Sequence, residues 1–304
     1  MRLDASLGFD PPLADVPSIA RAAEAAGVDG LWSADVSHDP FAPLVLAAEH
    51  TERLSLGTAV AVAFARSPLA MAMTAWDLAR LSRGRFILGL GSQVRAHVER
   101  RFGMAWSGRP VAQLREYVSV LRTAWDTWQH GSRPSVRGEF YRFTLMTPAF
   151  DPGPNEHPDI PVYLAGVGPG MIALAGEVGD GLIVHPLHSR AYVGDVVLPA
   201  VHEGARRAGR PADAVIIAAS VVCATSDEEV DQCFLHAGLH WVNARRHQPQ
   251  GRGATIHVAH RVDVSACIEE HLGNPRGVFR RSLPVLFHAI RSDVEQQSRV
   301  VRAQ

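Results

Sequence analysis

The chain predicts an α/β fold, a (β/α)8 barrel of the TIM type, and three observations carry that reading. Short apolar runs alternate with segments of helical period from the start of the chain to about residue 224, the pattern of repeated βα units. The runs are continuous rather than alternating, as expected of parallel strands covered on both faces. They end in glycine, serine or histidine, which places small and polar residues at the rim where barrels build their sites. A length of 304 residues suits one barrel and a large core.

Residues 3–9 read as the first strand, closed by Pro11 and Pro12, and residues 16–26 as a helix that stops at Gly27. Residues 30–35 form the second strand, followed by the polar loop DVSHDP at 35–40 and a helix from about 43 to 52. LSLGTAVAVAF, residues 54–64, reads as one uninterrupted third strand, with a helix over 68–81 behind it. The fourth opens at Phe86 and breaks at Gly89, Gly91 and Ser92, where Arg95, His97, Glu99, Arg100 and Arg101 follow at once. After a long amphipathic helix at 109–128, residues 132–159 contain GEFYRF and several prolines and glycines and read as an excursion over the scaffold. Strands at 160–165, 181–184 and 214–224, with helices at 171–177 and 191–208, bring the count to seven, and 256–264 is the candidate eighth.

The text changes character near residue 231, so the expected organisation is a barrel body at 1–230 and an atypical segment at 231–304. Residues 234–304 carry ten Arg against five acidic residues and seven of the 15 histidines, whereas the first 233 carry 20 Arg against 26 acidic residues. That segment is either the eighth unit, a mobile or specialised tail, or the product of a reading-frame change.

Composition narrows the function. A formal net charge of −1 argues against a nucleic-acid-coating protein, and no apolar run reaches membrane-spanning length. All 30 basic residues are Arg, which excludes lysine Schiff-base chemistry and a lysine phosphate loop. Three cysteines without a CxxC spacing fit a reducing, cytoplasmic compartment and offer no thiolate metal site. No GxSxG elbow and no HExxH occur, so serine hydrolysis and a zincin site are not expected.

Four places carry chemistry. His38 follows the second strand and titrates near neutrality, with Asp39 beside it; it is either an acid–base group or a structural loop residue. GVGPG at 166–170 precedes a helix and resembles an anion cradle, although a tight turn without a ligand has the same sequence. His185 and His188 flank the end of the next strand, where ordinary loop use or pocket shaping is expected ahead of metal binding. His97 and Glu99 complete the set of polar residues expected to face a substrate.

SADVSHDPF at 33–41, LSLGTAVAVAFARSP at 54–68, GRFILGLGSQVRAHVERRFGM at 84–104, RGEFYRF at 137–143 and IPVYLAGVGPGMIALAGEVGDG at 160–181 together resemble the bacterial-luciferase-like monooxygenase superfamily. Within it they are most similar to the oxidoreductases that use the deazaflavin coenzyme F420, over roughly residues 1–230. The resemblance implies a barrel, usually dimeric, and hydride transfer between coenzyme F420 and a small organic substrate; an FMN monooxygenase using oxygen, or a non-catalytic barrel, are the alternatives. It further implies that His38 lies beside the ring and that residues 60–64, with Val62, Ala63 and Phe64, support the ring from behind, often through a non-proline cis peptide. Gly91, Ser92 and Gln93 would line the cofactor pocket, and Gly166, Val167 and Gly168 would hold the cofactor phosphate. Two departures stand out. Gln93 and Val94 occupy the place where some deazaflavin dehydrogenases carry a Glu proton donor, and residues 234–304 do not follow the family's closing pattern.

Overall fold

A computed structural model describes residues 4–7, 11–185, 188–211 and 215–219 of the chain. The chain divides into two units, residues 1–24 with 28–220 and residues 25–27 with 221–304, and the fold described is that of the first. The candidate eighth strand at 256–264, the segment 231–304 and the boundary near 230 lie outside the described residues.

Seven parallel strands follow one another in chain order: β1 (Asp4–Ser6), β2 (Gly30–Ser33), β3 (Ser55–Thr58), β5 (Phe86–Gly91), β8 (Val162–Ala165), β9 (Gly181–Val184) and β10 (Ile216–Ala219). The two-residue β4 (Ala61–Val62) also pairs with β5, and β6 (Val136–Arg137) with β7 (Arg142–Phe143) makes a separate antiparallel hairpin. Helices alternate with the strands: α1 (Val16–Ala25), α2 (Ala42–Glu49), α3 (Pro68–Leu81), α4 (Arg95–Arg100), α5 (Pro110–His130) and α6 (Pro169–Val178). A short α7 (Arg190–Tyr192) passes through a π-helical turn, Val193–Val197, into α8 (Leu198–Arg207). The parallel sheet curls as an α/β barrel of the predicted class does, and its shared strand direction sends the carboxyl ends of β2, β4, β5, β8 and β9 to one rim.

Local signals explain where the helices begin and end. Ser67 accepts the Ala70 amide at 3.2 Å and Pro68 opens α3, while Pro110 opens α5 and Gly131, at φ 68°, closes it. Leu114, Tyr117, Leu121, Trp125 and Trp128 on one side of α5 are buried, and the Trp125 indole donates to the Ala72 carbonyl of α3 at 3.1 Å. The excursion is tied to the same helix. Glu116 accepts the backbone N–H groups of Glu139, Phe140 and Tyr141, and a Cβ on Gly138 would lie 2.0 Å from its carboxylate, which accounts for the glycine of RGEFYRF.

The amino-terminal rim is closed by half-buried charge. Glu24 accepts the amides of Glu52, Arg53 and Leu54, while the Arg85 guanidinium donates to the carbonyls of Ala48, Thr51 and Leu54. Burial raises the Glu24 carboxyl, but the three amides and the Arg53 charge outweigh it and hold the group below its ordinary range.

The structure corrects one strand. LSLGTAVAVAF is not continuous: β3 stops at Thr58, a cis peptide joins Ala59 to Val60, and the chain re-pairs with β5 as β4 before a 3-10 turn at Ala63–Ala65. Across the gap the fully buried Thr58 hydroxyl donates to the Gly89 carbonyl at 2.7 Å and accepts the Gly89 amide at 2.9 Å, replacing the lost ladder bonds. Only glycine fits opposite, because a Cβ on Gly89 would sit 1.8 Å from the Thr58 carbonyl oxygen. Among the described residues no helix is long and apolar enough to cross a membrane.

The Thr58 bridge predicts a measurable cost. Thr58→Val keeps the shape but strands both polar groups of Gly89, so chemical denaturation is expected to show a loss of about 2–4 kcal/mol; a loss below about 0.5 kcal/mol would mean that the gap is closed in another way.

Candidate active site

The loop after β2 is built on two carboxylates and one guanidinium. The Asp35 side chain is 4% exposed and accepts the Val62 amide at 3.0 Å and the Arg66 guanidinium, while its own amide donates to the Val60 carbonyl at 3.2 Å. Asp39 accepts the amides of Phe41 (2.8 Å) and Ala42 (3.3 Å), so it caps the start of α2, and takes a second bond from Arg66 at 2.9 Å. His38 is exposed between these two anchors, five residues past the end of β2. Arg101, at the end of α4, donates to the Val36 carbonyl of the same loop.

Next to it, Val62, Ala63 and Phe64 are all at least 97% buried, so this stretch presents mainly backbone and edges to the rim. Gly91 lets the bend approach β5, since a Cβ there would meet Val60 Cγ2 at 2.7 Å. Ser92 and Gln93 are half-buried just beyond, and Gln93 adopts φ 60°, a left-handed conformation uncommon outside glycine, with its side-chain oxygen accepting the Val94 amide at 2.9 Å. His97 and Glu99 fall on α4. Glu99 is engaged by Arg95 one turn earlier, at 3.0 Å to each oxygen, as a surface pair.

Sequence reasoning missed Trp106, while Tyr117 on α5 is buried in the core as its helical spacing implies. Trp106 meets Phe64 edge-on with ring centroids 6.1 Å apart, and Tyr117 meets Tyr141 in the same way at 5.6 Å. The Tyr117 hydroxyl donates to the Arg66 carbonyl at 3.2 Å, and Gln113 donates to the Tyr141 hydroxyl at 3.0 Å. Burial pushes both phenols above their ordinary value, so they stay protonated. GEFYRF and the tryptophan between two helices were visible in the sequence, but nothing in it indicates which strand end they reach.

On the far side of the rim, Gly166, Val167 and Gly168 connect β8 to α6. Gly168 is the N-cap of this ten-residue helix; its carbonyl accepts the amides of Met171 and Ile172, and no atom lies within 4 Å of a Cβ built on it. The exposed helix start therefore offers backbone N–H groups and the positive end of a helix dipole to solvent. His185 and His188 stand beyond β9 with rings 5.7 Å apart, and His188 lies 4.5 Å from the Tyr192 ring, whose hydroxyl reaches the Val167 carbonyl at 3.4 Å. Burial, then the neighbouring His185, lowers the His188 imidazole below its usual range, which favours the neutral ring. Among the described residues no three His, Cys, Asp or Glu side chains gather as a metal site.

The sequence-predicted residues thus come to one rim from five strand ends: His38 with Asp39, Val62 with Ala63 and Phe64, Gly91 with Ser92 and Gln93, Gly166 with Val167 and Gly168, and His185 with His188. Glu99 is drawn aside by Arg95, and Asp39 by the start of α2.

Comparison with known proteins places the rim in context. An uncharacterised protein of Mycobacterium tuberculosis is 47% identical over 219 residues, covering 70% of this chain and 64% of the relative. A putative coenzyme F420-dependent oxidoreductase of the same organism is 37% identical over 193 residues, covering 60% and 54%. The structure of the coenzyme F420 dependent tetrahydromethanopterin reductase from Methanopyrus kandleri superposes with a TM-score of 0.61 at 25% identity, over 72% of this chain and 65% of that one. The chain spans 64% of the length of the first of these relatives. The model of the luciferase-like monooxygenase family matches residues 1–271, and the chain belongs to that family.

Proposed function

We propose that the chain is an oxidoreductase that uses coenzyme F420 to transfer hydride to or from a small organic substrate. The observation that carries this reading is the open start of α6: Gly168 has no atom within 4 Å of a Cβ position, and the helix N-terminus faces solvent on the rim that bears His38. Such a cradle fits a phosphate-bearing cofactor, because backbone amides and the helix dipole stabilise negative charge there. The names of the relatives supply the second support, since one is a putative F420-dependent oxidoreductase and another an F420-dependent reductase.

When bound, the deazaflavin supplies the hydride chemistry at C5 of its ring. The chain's own residues bind and orient. In this reading Gly166, Val167 and Gly168 hold the phosphate, Gly91, Ser92 and Gln93 line the pocket beside the bend at Val62, Ala63 and Phe64, and His38 holds or releases a proton at its imidazole. Glu99 is not assigned a proton, because Arg95 occupies both of its oxygens. His185, His188 and His97 would shape the space for substrate. A homodimer and a cytoplasmic location belong to the same reading, carried by the family resemblance and the cysteine usage.

Equilibrium titration of the full chain with coenzyme F420 and with FMN tests this reading, with tighter binding of the deazaflavin expected. Gly168→Val is the matching variant: its side chain enters space that is empty of protein, so the unfolding midpoint should hold while coenzyme affinity falls about tenfold or more. A folded variant with parent affinity would remove Gly168 from the site, and no binding of F420 by the parent chain would remove the cofactor.

His38→Ala is expected to keep coenzyme binding and to lower the single-turnover hydride rate by about 10²- to 10⁴-fold, the range of general acid–base assistance. Asp39→Ala is the comparison and should cost about 1 kcal/mol of stability through the lost helix cap. Hydride transfer at the parent rate in His38→Ala would leave His38 a loop residue.

A further inference from the structure

We propose that Arg66 is a positioning residue that sets the place of His38 by pinning both ends of the loop that carries it. The proposal rests on the reading of His38 above, but its geometry stands independently.

The guanidinium forks. One nitrogen meets Asp35 Oδ2 and another meets Asp39 Oδ2 at 2.9 Å, with Cζ 5.6 Å from the centroid of the Phe41 ring. Asp35 lies three residues before His38 and Asp39 one residue after it, so a single side chain brackets the histidine from both sides. The anchors differ in depth: the Asp35 side chain is 4% exposed, that of Arg66 24% and that of Asp39 51%. Asp35 is therefore the buried post, joined to β4 through the Val62 amide, and Asp39 is the exposed end that leads into α2. Between them only Val36, Ser37 and His38 span the gap, and Arg101 holds the Val36 carbonyl. Arg66 is itself held, since its carbonyl accepts the Tyr117 hydroxyl at 3.2 Å and its amide donates to Ala63 at 3.2 Å. Lysine cannot replace this arrangement, because an ammonium is a point charge and does not fork between two carboxylates in fixed directions.

A purely structural role predicts something else. Removing Arg66 alone leaves Asp35 buried and uncompensated, which destabilises any fold whatever the loop does. The double variant Asp35→Asn/Arg66→Met removes both charges and the fork together, so it separates positioning from stability. Arg66→Lys is the second variant, since it keeps a cation near Asp35 while losing the reach to Asp39.

The test is peptide-resolved modification of the full chain by diethyl pyrocarbonate, read at His38 with the exposed His202 of α8 as internal reference, together with amide exchange over residues 36–39. Both variants are expected to stay folded by thermal melting and to bind coenzyme F420 within about threefold of the parent, while loop exchange and His38 modification change by about fivefold or more, as for a loop released from local restraint. Folded variants in which neither His38 reactivity nor loop exchange moves would overturn the proposal. The single-turnover rate then separates the two readings. A loop that loosens with a fall in hydride rate and an unchanged substrate KM supports both. A loop that loosens while the rate holds, with His38→Ala equally silent, supports Arg66 as the latch and rejects His38 as the proton carrier.

Discussion

The exchange of hydrogen bonds between the Thr58 hydroxyl and the backbone of Gly89 is the interaction on which the rim depends. A parallel strand that stops pairing in the middle of a sheet leaves a donor and an acceptor of its neighbour buried, and such groups are costly unless something else satisfies them. Thr58 does so with one side chain, at 2.7 and 2.9 Å. With that gap closed, the chain can leave the β3 register, turn through Ala59 and Val60, and rejoin β5 at Leu90 and Gly91. The turn places the Val60 carbonyl against the Asp35 amide and the Val62 amide against the Asp35 carboxylate. The loop bearing His38 is thereby fixed both to the bend and, through Val62, to β4 of the sheet.

The two ends of the sheet are finished in opposite ways. At the amino-terminal rim, Glu24 and Arg85 saturate the backbone groups between α2 and β3. At the carboxyl rim the start of α6 is left open above Gly168, and polar side chains are spent on orienting one another. This division agrees with the general asymmetry of barrels, where one face serves stability and the other chemistry.

Most of the strand order was legible because short continuous apolar runs such as 86–88 and 181–184, recurring between helical segments, suit parallel strands buried on both faces. The break after Thr58 was not legible from periodicity. Ala59, Val60 and Ala61 have the composition of a strand interior, and the reason for the break lies in a hydroxyl that finds its partner 31 residues away. Arg66 was invisible for a related reason: in a chain whose basic residues are all Arg, no single one is marked, and its partners are reached only through folding. The placement of His38, Gly91 and Gly168 at strand ends was legible because position after a strand is a local property. Glu99 was expected to face a substrate, and its pairing with Arg95 four residues earlier is one the sequence does contain. Trp106 was visible as a residue, but its meeting with Phe64 depends on the path between α4 and α5.

The proposed seat of the cofactor is the carboxyl rim between the β3–β4 bend and the start of α6. A crystal of the full chain soaked with coenzyme F420 tests it directly. Density for the phosphate at the backbone N–H groups of residues 166–168 and 170, with the deazaflavin ring lying against residues 59–64 and near His38, is the predicted result. Ring density elsewhere, such as the cleft of about 430 Å³ lined by Arg122, Trp125 and His130, would contradict it.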